Sequence, residues 1–235
     1  YAMAGPKRPS ILVVTDIDAA KIERARSIFE PIARERGIVL KVVDSSSGDS
    51  YQELYELTEG KLFDDVMVMV AHPSLLELGE RLLAFNACLN FFAGPLVQDF
   101  YAQLNYYDVH YLEKHIIGTS GGNTDDQKEA LELMEQGLLH PAALITHVGG
   151  LEASLDATCK LPELGGGKKM IYTHIECPLF ALDELGKLRD SSELFAQLAA
   201  IVARHNGLWS KEAEEYLLSH CPSVNTNSRI PRKET

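Results

Sequence analysis

The chain has 235 residues, a formal net charge of -12 and a hydrophobic content of 46%. This length and apolar content suit one large domain, or one domain with an appendage, built around a full hydrophobic core. Such an acidic surface argues against a nucleic-acid or anionic-membrane partner, because both carry the same sign of charge. No apolar run reaches the roughly 18 residues that a membrane-spanning helix needs, so we predict a cytoplasmic protein without membrane contact.

Cysteine spacing sets a second limit on the class of protein. The four cysteines, Cys88, Cys159, Cys177 and Cys221, are far apart and form no C-x-x-C pair. This spacing favours reduced thiols in a cytosol over a disulfide framework or a structural zinc site.

The first half of the chain alternates apolar strands with amphipathic helices. The pattern predicts strands at 11–14, 38–44, 64–70 and 88–92, separated by helices at 19–36, 50–60 and 73–86. Because each strand is apolar throughout its length, we expect a parallel sheet that helices cover on both faces. This is a Rossmann-like, doubly wound α/β arrangement with a mostly parallel sheet.

The second half continues this alternation and then becomes helical. Strands are predicted at 115–118, 142–148 and 168–174, with helices at 124–136, 150–159, 191–205 and 210–219. Residues 96–113, rich in Tyr, Asn and Asp, fit neither pattern and stay unassigned. We predict an incomplete Rossmann-like domain at 1–182, a C-terminal helical extension at 183–222 and a flexible tail at 223–235.

Asp16 closes the first apolar strand, ILVVTD. In a dinucleotide-binding fold an acid at the end of the second strand binds both ribose hydroxyls and repels a 2'-phosphate, which favours NAD over NADP. Lys21 and Arg24 keep NADP open. The alternative is that Asp16 caps the next helix, a role that Asp18 also fits.

The glycine loop expected about 20 residues before such an acid has no room here, so we expect the first strand and its glycine loop to be missing from the sheet.

The run GTSGGNTDD at 118–126 is a glycine loop between a strand and a helix. Asp125 and Asp126 at the start of the helix would repel a phosphate, and Thr124 with Gln127 forms a capping-box pattern. A neutral carboxamide or sugar hydroxyl is a more plausible ligand for this loop. The letters also match the G-x-S-x-G nucleophile motif, but no partner histidine is identifiable, so a serine hydrolase is disfavoured.

Two further patterns are weak as functional signals. GGGKK at 165–169 looks like a phosphate-binding loop but lacks the spacing and the Ser or Thr after the lysine, so we interpret it as a turn before a strand. The eight histidines form no convincing metal pair on a helix. We predict no metal site and no catalytic residue in this chain.

Several of these motifs together carry a family resemblance. They are AGPKRPSILVVTDID, LNFFAGP, NYYDVHY, GTSGGNTDD, ALITHVGGL and LPELGGGKKMIYTH. With them the chain resembles the coenzyme-binding and C-terminal part of the zinc-dependent medium-chain alcohol dehydrogenase family. The nearest likeness is to its sorbitol dehydrogenase-like branch, which includes L-sorbose-1-phosphate reductases.

The resemblance implies NAD or NADP as the coenzyme and a set of residues around it. Asp16 would hold the adenosine ribose, Ala71 and His72 would lie on the adenine side, Phe92, Ala93 and Gly94 would lie near the nicotinamide, and Gly118, Thr119 and Ser120 would lie near the nicotinamide and its ribose. Zinc and most of the substrate pocket would belong to a catalytic domain that precedes this sequence. The strand at 142–148 would be a sheet edge through which two copies form a homodimer.

Three functional hypotheses follow from these observations. The first is the coenzyme-binding portion of an NAD(P)-dependent zinc-type oxidoreductase of sugar alcohols or ketose phosphates, inactive as an isolated chain. The second is an assembly module derived from a dehydrogenase that no longer binds the coenzyme. The third, an S-adenosylmethionine-dependent methyltransferase, explains the acid after the strand but not GTSGGNTDD.

Overall fold

The computed structural model describes residues 2–3, 7–46 and 48–224. Apart from its first few residues, the chain divides into two compact units, with the break between Glu132 and Leu133. We call residues 7–132 the N-terminal unit and residues 133–224 the C-terminal unit. This division falls before the predicted domain boundary at 182, because the strands that follow Leu133 pair with one another rather than with the first five.

The N-terminal unit consists of alternating strands and helices, as the sequence pattern predicts. Its strands are β1 (Ile11–Asp16), β2 (Val39–Asp44), β3 (Phe63–Val68), β4 (Leu83–Phe91) and β5 (His115–Gly118). Its helices are α1 (Ala19–Glu35), α2 (Ser50–Leu57), α3 (Pro73–Arg81), α4 (Tyr106–Tyr111) and α5 (Thr124–Glu135), the last of which runs a few residues past the break. The strands form a parallel pair, β1–β2, and a parallel three-stranded sheet in the order β3–β4–β5. The predicted Rossmann-like α/β architecture with parallel sheets is confirmed.

Local chemistry explains the bounds of α1. The Asp18 carboxylate accepts hydrogen bonds from the backbone N–H groups of Ala20 and Lys21, which otherwise lack partners in the first turn. Gly37, at φ +69°, ends the helix in the left-handed conformation that glycine adopts without strain. One face of the helix buries Ile22 and Ala33.

The junction of α3 and β4 differs from the prediction. We predicted a helix up to 86, but α3 ends at Arg81 and β4 begins at Leu83. Leu83 is fully buried and belongs to a small core with Val68, Leu76, Ala87 and Leu89. A helical pattern and a short buried strand are hard to separate in an apolar run, and packing against β3 decides for the strand.

The unassigned segment 96–113 contains a short helix, and a buried ion pair follows it at Lys114. Asn105 caps α4 by accepting a hydrogen bond from the N–H of Tyr107. Lys114, immediately before β5, lies 2.7 Å from the Glu80 carboxylate of α3, and both side chains are only 2% exposed. The Lys114 ammonium also donates to the backbone carbonyl of Glu80 at 2.9 Å. These bonds fix the start of β5 against the end of α3.

The C-terminal unit contains a mixed sheet and a helical layer. Its strands are β6 (Ile145–Gly150), β7 (Lys168–Tyr172) and β8 (Phe180–Ala181), and its helices are α6 (Ala153–Cys159), α7 (Leu185–Leu188), α8 (Glu193–Arg204) and α9 (Lys211–His220). The strand order is β7–β6–β8, with β8 antiparallel. Trp209, 4% exposed, lies in the core of this unit and donates its indole N–H to the Tyr172 hydroxyl.

Two expectations for this unit are corrected. The segment 142–148 is a 3-10 turn, Pro141–Leu144, followed by β6, and β6 is the central strand of its sheet rather than a free edge. The predicted flexible tail at 223–235 begins too early, because Ser223 pairs with Ile175 in an antiparallel bridge. Residues 225–235 lie outside the described part of the chain. Among the helices that are described, none is long and apolar enough to cross a membrane.

Candidate functional site

A cleft of about 470 Å³ opens where β4 and β5 end. Its lining combines two loops, one after each strand: Phe91, Phe92, Ala93, Gly94 and Pro95 from the first, and Gly118, Thr119, Ser120 and Gly121 from the second. Six of these nine residues were predicted from the sequence as coenzyme-binding residues. Ligands of open α/β sheets bind at the carboxyl ends of parallel strands, and this cleft has that position.

Hydrogen bonds between the two strands hold the floor of the cleft. The N–H of Thr119 donates to the carbonyl of Phe91 at 3.2 Å. The Thr119 hydroxyl donates to the side-chain oxygen of Asn90 at 3.0 Å. Next to it, the N–H groups of Phe92 and Ala93 both donate to the carbonyl of Val68 on β3. The loops after β4 and β5 are therefore anchored to neighbouring strands at the point where the cleft begins.

The lining of the cleft is electrically neutral and leaves room beside Gly118. A side chain at Gly118 would point into open space, since its nearest neighbour is the Phe91 carbonyl at 3.9 Å. None of the lining residues is charged, so the lining itself provides no cation for a phosphate. Its available groups are backbone amides, a threonine and a serine hydroxyl, and the exposed Phe92 ring. This set suits a planar, neutral ligand group with hydrogen-bonding edges.

The helix after the GTSGG loop is capped one residue earlier than predicted. Asn123 accepts hydrogen bonds from the N–H groups of Asp125 and Asp126, and Asp126 accepts one in return from the N–H of Asn123 at 2.6 Å. The pair Asn123–Asp126 replaces the predicted pair Thr124–Gln127, because an asparagine is at least as good an N-cap as a threonine. The Asn123 side chain therefore occupies two backbone donors in the first turn of α5, and the Asp126 carboxylate occupies the N–H of Asn123 itself.

Ala71 and His72 follow β3 at the same edge of the sheet. Since β3, β4 and β5 are parallel neighbours, the segments after all three strands share one edge. His72 is exposed, and its ring Nδ1 lies 2.8 Å from the Ser74 hydroxyl. Its backbone carbonyl accepts from Leu75 and Leu76 in the first turn of α3. Eight of the nine predicted residues thus lie at the carboxyl ends of the strands of one sheet.

The ninth predicted residue, Asp16, lies at the end of β1 in the two-stranded sheet. Its carboxylate accepts from the N–H groups of Ile17 at 2.8 Å and Asp18 at 3.0 Å. Asp18 supplies the helix cap, so Asp16 is not used for that purpose. In register, Asp16 lies beside Asp44 of β2, whose pKa is lowered by hydrogen bonds from Ser46.

The GGGKK segment is a turn into a strand, as interpreted from the sequence. The Lys169 ammonium donates to loop carbonyls, including those of Gly165 at 2.9 Å and Gly166 at 3.1 Å. A phosphate loop presents backbone N–H groups, whereas this loop directs carbonyl oxygens at its own lysine. Burial lowers the pKa of Lys169.

We searched the described part of the chain for a metal site and for an activated serine nucleophile. No group of three or more His, Cys, Asp or Glu side chains there could hold a metal ion. Ser120 of the G-x-S-x-G match is exposed, and none of the hydrogen bonds of the described histidines involves it. The described residues at this end of the sheet form a cleft lined by backbone groups and uncharged side chains.

Asn90 is the site residue that sequence reasoning missed. It lies inside β4, where a polar residue in an apolar strand is easily attributed to chance. The register places it beside Ile117 of β5, two residues before Thr119. Only this pairing shows that its amide lies within hydrogen-bonding distance of the Thr119 hydroxyl. A polar residue near the carboxyl end of a buried strand was the available signal.

Parallel strands that alternate with helices place the N-terminal unit in the Rossmann-like class of α/β proteins. Residues 11–136, more than half of the chain, match the family model described as zinc-binding dehydrogenase. The chain belongs to this family, and the predicted resemblance is confirmed.

Curated relatives share sequence over nearly the whole chain. It is 44% identical over 224 residues to the L-sorbose 1-phosphate reductase of Klebsiella pneumoniae, covering 95% of this chain and 52% of the relative. It is 43% identical over 221 residues to the mannitol-1-phosphate 5-dehydrogenase of Aliivibrio fischeri, covering 93% of this chain and 52% of the relative. The chain therefore spans about half the length of the curated relatives it matches.

Solved structures of dehydrogenases share the fold. The alcohol dehydrogenase zinc-binding domain protein from Burkholderia ambifaria matches with a TM-score of 0.58 at 18% identity, over 73% of this chain and 44% of that one. A dehydrogenase from Escherichia coli CFT073, complexed with NADH, matches with a TM-score of 0.55 at 17% identity, over 68% of this chain and 44% of that one. At these identities the similarity shows the fold alone.

Proposed function

We propose that the chain is the coenzyme-binding portion of an NAD(P)-dependent zinc-type oxidoreductase that acts on a sugar alcohol or a ketose phosphate. The observation that carries this proposal is the cleft formed by the segments after β4 and β5, inside the region that matches the family model. The names of the two curated relatives favour a hexose phosphate or its alcohol as substrate.

In this proposal the nicotinamide end of the coenzyme lies in the cleft. Its carboxamide and ribose hydroxyls suit the neutral lining, where the Thr119 hydroxyl is oriented by Asn90. The absence of a side chain at Gly118 lets a flat ring approach the backbone. The coenzyme supplies the hydride acceptor or donor, and this chain's residues bind and orient it. Ala71 and His72 lie one strand away, on the proposed adenine side.

The described residues fit the pyrophosphate of a dinucleotide poorly. A pyrophosphate binds to a glycine-rich turn at the N-terminus of a helix. The start of α1 instead carries Asp16 and Asp18, and the Asn123–Asp126 pair occupies the start of α5. We therefore propose that coenzyme binding by this chain alone is weak. We assign the pyrophosphate contacts, the zinc and the proton relay to the remaining half of the parent enzyme, and we predict no turnover by this chain alone.

A homodimer in the cytoplasm belongs to the same proposal, but not through β6. That strand is flanked on both sides, by β7 and β8. Within the described residues, β5 pairs on one side only, with β4, and all four of its residues are exposed. An exposed strand edge with Ile116 and Ile117 is the better candidate for joining two sheets.

The alternative function is an assembly module that no longer binds the coenzyme. One observation favours it: apolar side chains on the parallel strands remain open to solvent, with Val14, Met67 and Ile117 40%, 62% and 46% exposed. Residues of parallel strands are normally covered on both faces. Such surfaces suit a partner chain as well as the other half of an enzyme.

A titration with NADH followed by its fluorescence separates the two functions. The variant Gly118→Leu fills the cleft, and we expect it to abolish NADH binding without lowering the unfolding temperature. Gly186→Ala, which also adds a side chain in open space, is the matched control and should bind like the wild type. Equal binding by Gly118→Leu and the control would remove the cleft from the proposal, and no binding by any variant would favour the assembly module.

A further inference from the structure

Two cysteines of the C-terminal unit lie opposite each other across a short antiparallel pairing. Ile175 and Ser223 form the bridge, and it is flanked by hydrogen bonds from the N–H of Glu176 to the carbonyl of Pro222 at 2.8 Å and from the N–H of Val224 to the carbonyl of His174 at 3.0 Å. These bonds lie outside the Ile175–Ser223 pair, which is therefore of the non-hydrogen-bonded type.

Extending the same register by two residues places Cys177 directly opposite Cys221. The next residue after each cysteine is a proline, Pro178 and Pro222, which disfavours the helical conformation in the cysteine before it. Cys221 is extended, with φ -81° and ψ 143°. Opposite residues of this type have Cα atoms about 4.5 Å apart, at the short end of the range of about 4.4–6.8 Å that disulfides span.

Both cysteines are free thiols, and both belong to the core of the same unit. Cys177 is 1% exposed within the core of the unit, and Cys221 packs against that core at its half-exposed rim. Because the register places the two residues opposite each other in one core, we expect a disulfide to form by rotation of the two side chains.

We propose that Cys177 and Cys221 are a disulfide-forming pair that reacts with small disulfides of the glutathione type and then joins the end of α9 to the segment after β7. Cys221 reacts first because it is the more exposed thiol. Its thiolate attacks one sulfur of the small disulfide, forms a mixed disulfide and expels one thiolate. Cys177 then loses its proton and attacks the Cys221 sulfur, which forms the intramolecular bond and expels the second small thiolate.

In total, two protein thiols and one small disulfide react to give one protein disulfide and two small thiols. The small disulfide is the oxidant and is reduced, and both thiol protons end on the released thiols. The pair is a slow sensor at neutral pH, because burial raises the pKa of Cys177 to about 12 and also raises that of Cys221. Since the thiolate is the attacking species, the rate rises with pH. Glu152, whose charge raises both values, is the carboxylate that faces the pair.

Closing this bond stabilises the C-terminal unit. The loop between the two cysteines contains β8 and the helices α7, α8 and α9, so the bond removes conformational freedom from a long stretch of the unfolded chain. Trp209 lies within this loop and in the core, and it is the only tryptophan of the chain. Its fluorescence reports the unfolding of this unit specifically.

The experiment treats the full chain with oxidised glutathione and measures intact mass and disulfide-linked peptides. We expect the wild type and Cys159→Ser to contain a Cys177–Cys221 linkage, to lose the mass of two hydrogens at that pair, and to unfold at a higher temperature by Trp209 fluorescence. We expect Cys177→Ser to accumulate a stable glutathione adduct at Cys221. Cys221→Ser should form no intramolecular bond. The linkage should form faster at pH 9 than at pH 7.

Two results would overturn the proposal. One is a wild type that carries only glutathione adducts and no linked peptide, since the pair would then be unable to close. The other is a linkage that involves Cys88 or Cys159 in place of either member of the pair. Each outcome is independent of coenzyme binding, so the result stands whether or not the proposed function does.

Discussion

Gly150 ends β6 where two backbone segments approach too closely for a side chain. A Cβ atom there would lie 2.4 Å from both the N of Cys177 and the carbonyl oxygen of Ile175. Neither neighbour is the flexible end of a side chain, so the backbone would have to move. The same close approach lets the N–H of Gly150 donate to the Cys177 carbonyl at 2.7 Å.

We predict that Gly150→Ala lowers the free energy of unfolding of the C-terminal unit by about 1–3 kcal/mol or more, the usual cost of overpacking. Gly186→Ala, where nothing lies within 4 Å of the added atom, should be neutral or slightly stabilising. Urea unfolding followed by Trp209 fluorescence compares the two variants. Equal midpoints would contradict the close approach seen at Gly150.

Asp16 offers a test of coenzyme choice that leaves the fold unchanged. Asp16→Asn keeps the oxygen that accepts from Ile17 and Asp18 but removes the negative charge. We predict that the affinity for NADP rises relative to NAD on the order of tenfold, because a nearby like charge costs about 1.4 kcal/mol in this setting. Asp18→Asn is the matched control, since asparagine caps helices as well as aspartate does. Competition titrations should show a change for Asp16→Asn alone.

At the scale of elements, the Lys114–Glu80 pair joins β5 to α3. We predict that Lys114→Met destabilises the N-terminal unit by about 3–5 kcal/mol, because it leaves the Glu80 carboxylate buried and unpaired. The double variant Glu80→Leu with Lys114→Met should recover most of this loss. Lys128→Met breaks an exposed pair with Asp125 and should cost about 0–1 kcal/mol. Circular dichroism during urea unfolding measures all three, and a cost for Lys114→Met as small as that of Lys128→Met would contradict the prediction.

His147 on β6 makes the C-terminal unit sensitive to acid. Burial lowers its pKa below the usual 6.5, and the charge of Lys169 lowers it further. The unfolded chain therefore binds a proton more readily than the folded chain, so stability is lost as pH falls from about 6.5 through the folded pKa. We predict that His147→Gln removes this dependence, whereas the exposed His140→Gln retains it. Trp209 unfolding midpoints between pH 7.5 and 5 measure the difference, and parallel curves for His147→Gln and the wild type would contradict it.

Most element positions were predictable because the strands are apolar runs between capped helices. The exceptions have physical reasons. Residues 82–86 fit a helix until Leu83 packs into the core beside β3. The helix α4 depends on the Asn105 cap and on contact of the Tyr107 and Tyr111 rings at 4.5 Å, which a six-residue pattern does not reveal. The position of β6 within its sheet depends on β8, a strand of two residues.

The backbone segments that line the cleft could be predicted from the sequence, but the side-chain contacts within it could not. Loops that follow neighbouring parallel strands must meet at one sheet edge, so six lining residues could be named from sequence and family resemblance. The role of Asn90 could not be named in this way, because it depends on a side-chain hydrogen bond between two strands. The Asn123–Asp126 cap was missed because it lies one residue before the predicted cap. The alternation of strands and helices in the sequence predicts at which end of the sheet a loop lies. The hydrogen-bond partner of a side-chain hydroxyl depends on how the strands pack, which the sequence pattern does not give.

At the scale of the whole molecule, the chain is about half of the enzymes it resembles. We predict that the isolated chain does not reduce L-sorbose 1-phosphate with NADH, because its described residues hold neither a metal site nor a pyrophosphate cradle. Fusion to the part of the Klebsiella pneumoniae reductase that lies outside the matched region should restore reduction. Turnover by the isolated chain would contradict this prediction, and a folded fusion that binds zinc but not NADH would contradict the proposed role of the chain.

The most direct test of the central claim is a titration of the isotope-labelled chain with millimolar NADH, followed by nuclear magnetic resonance of the backbone amides. We predict that the largest shifts occur at the amides of Phe92, Ala93, Gly94, Gly118, Thr119 and Ser120, because the proposed nicotinamide site lies between these two segments. Unchanged signals from these amides, or shifts confined to the GGGKK segment, would contradict it.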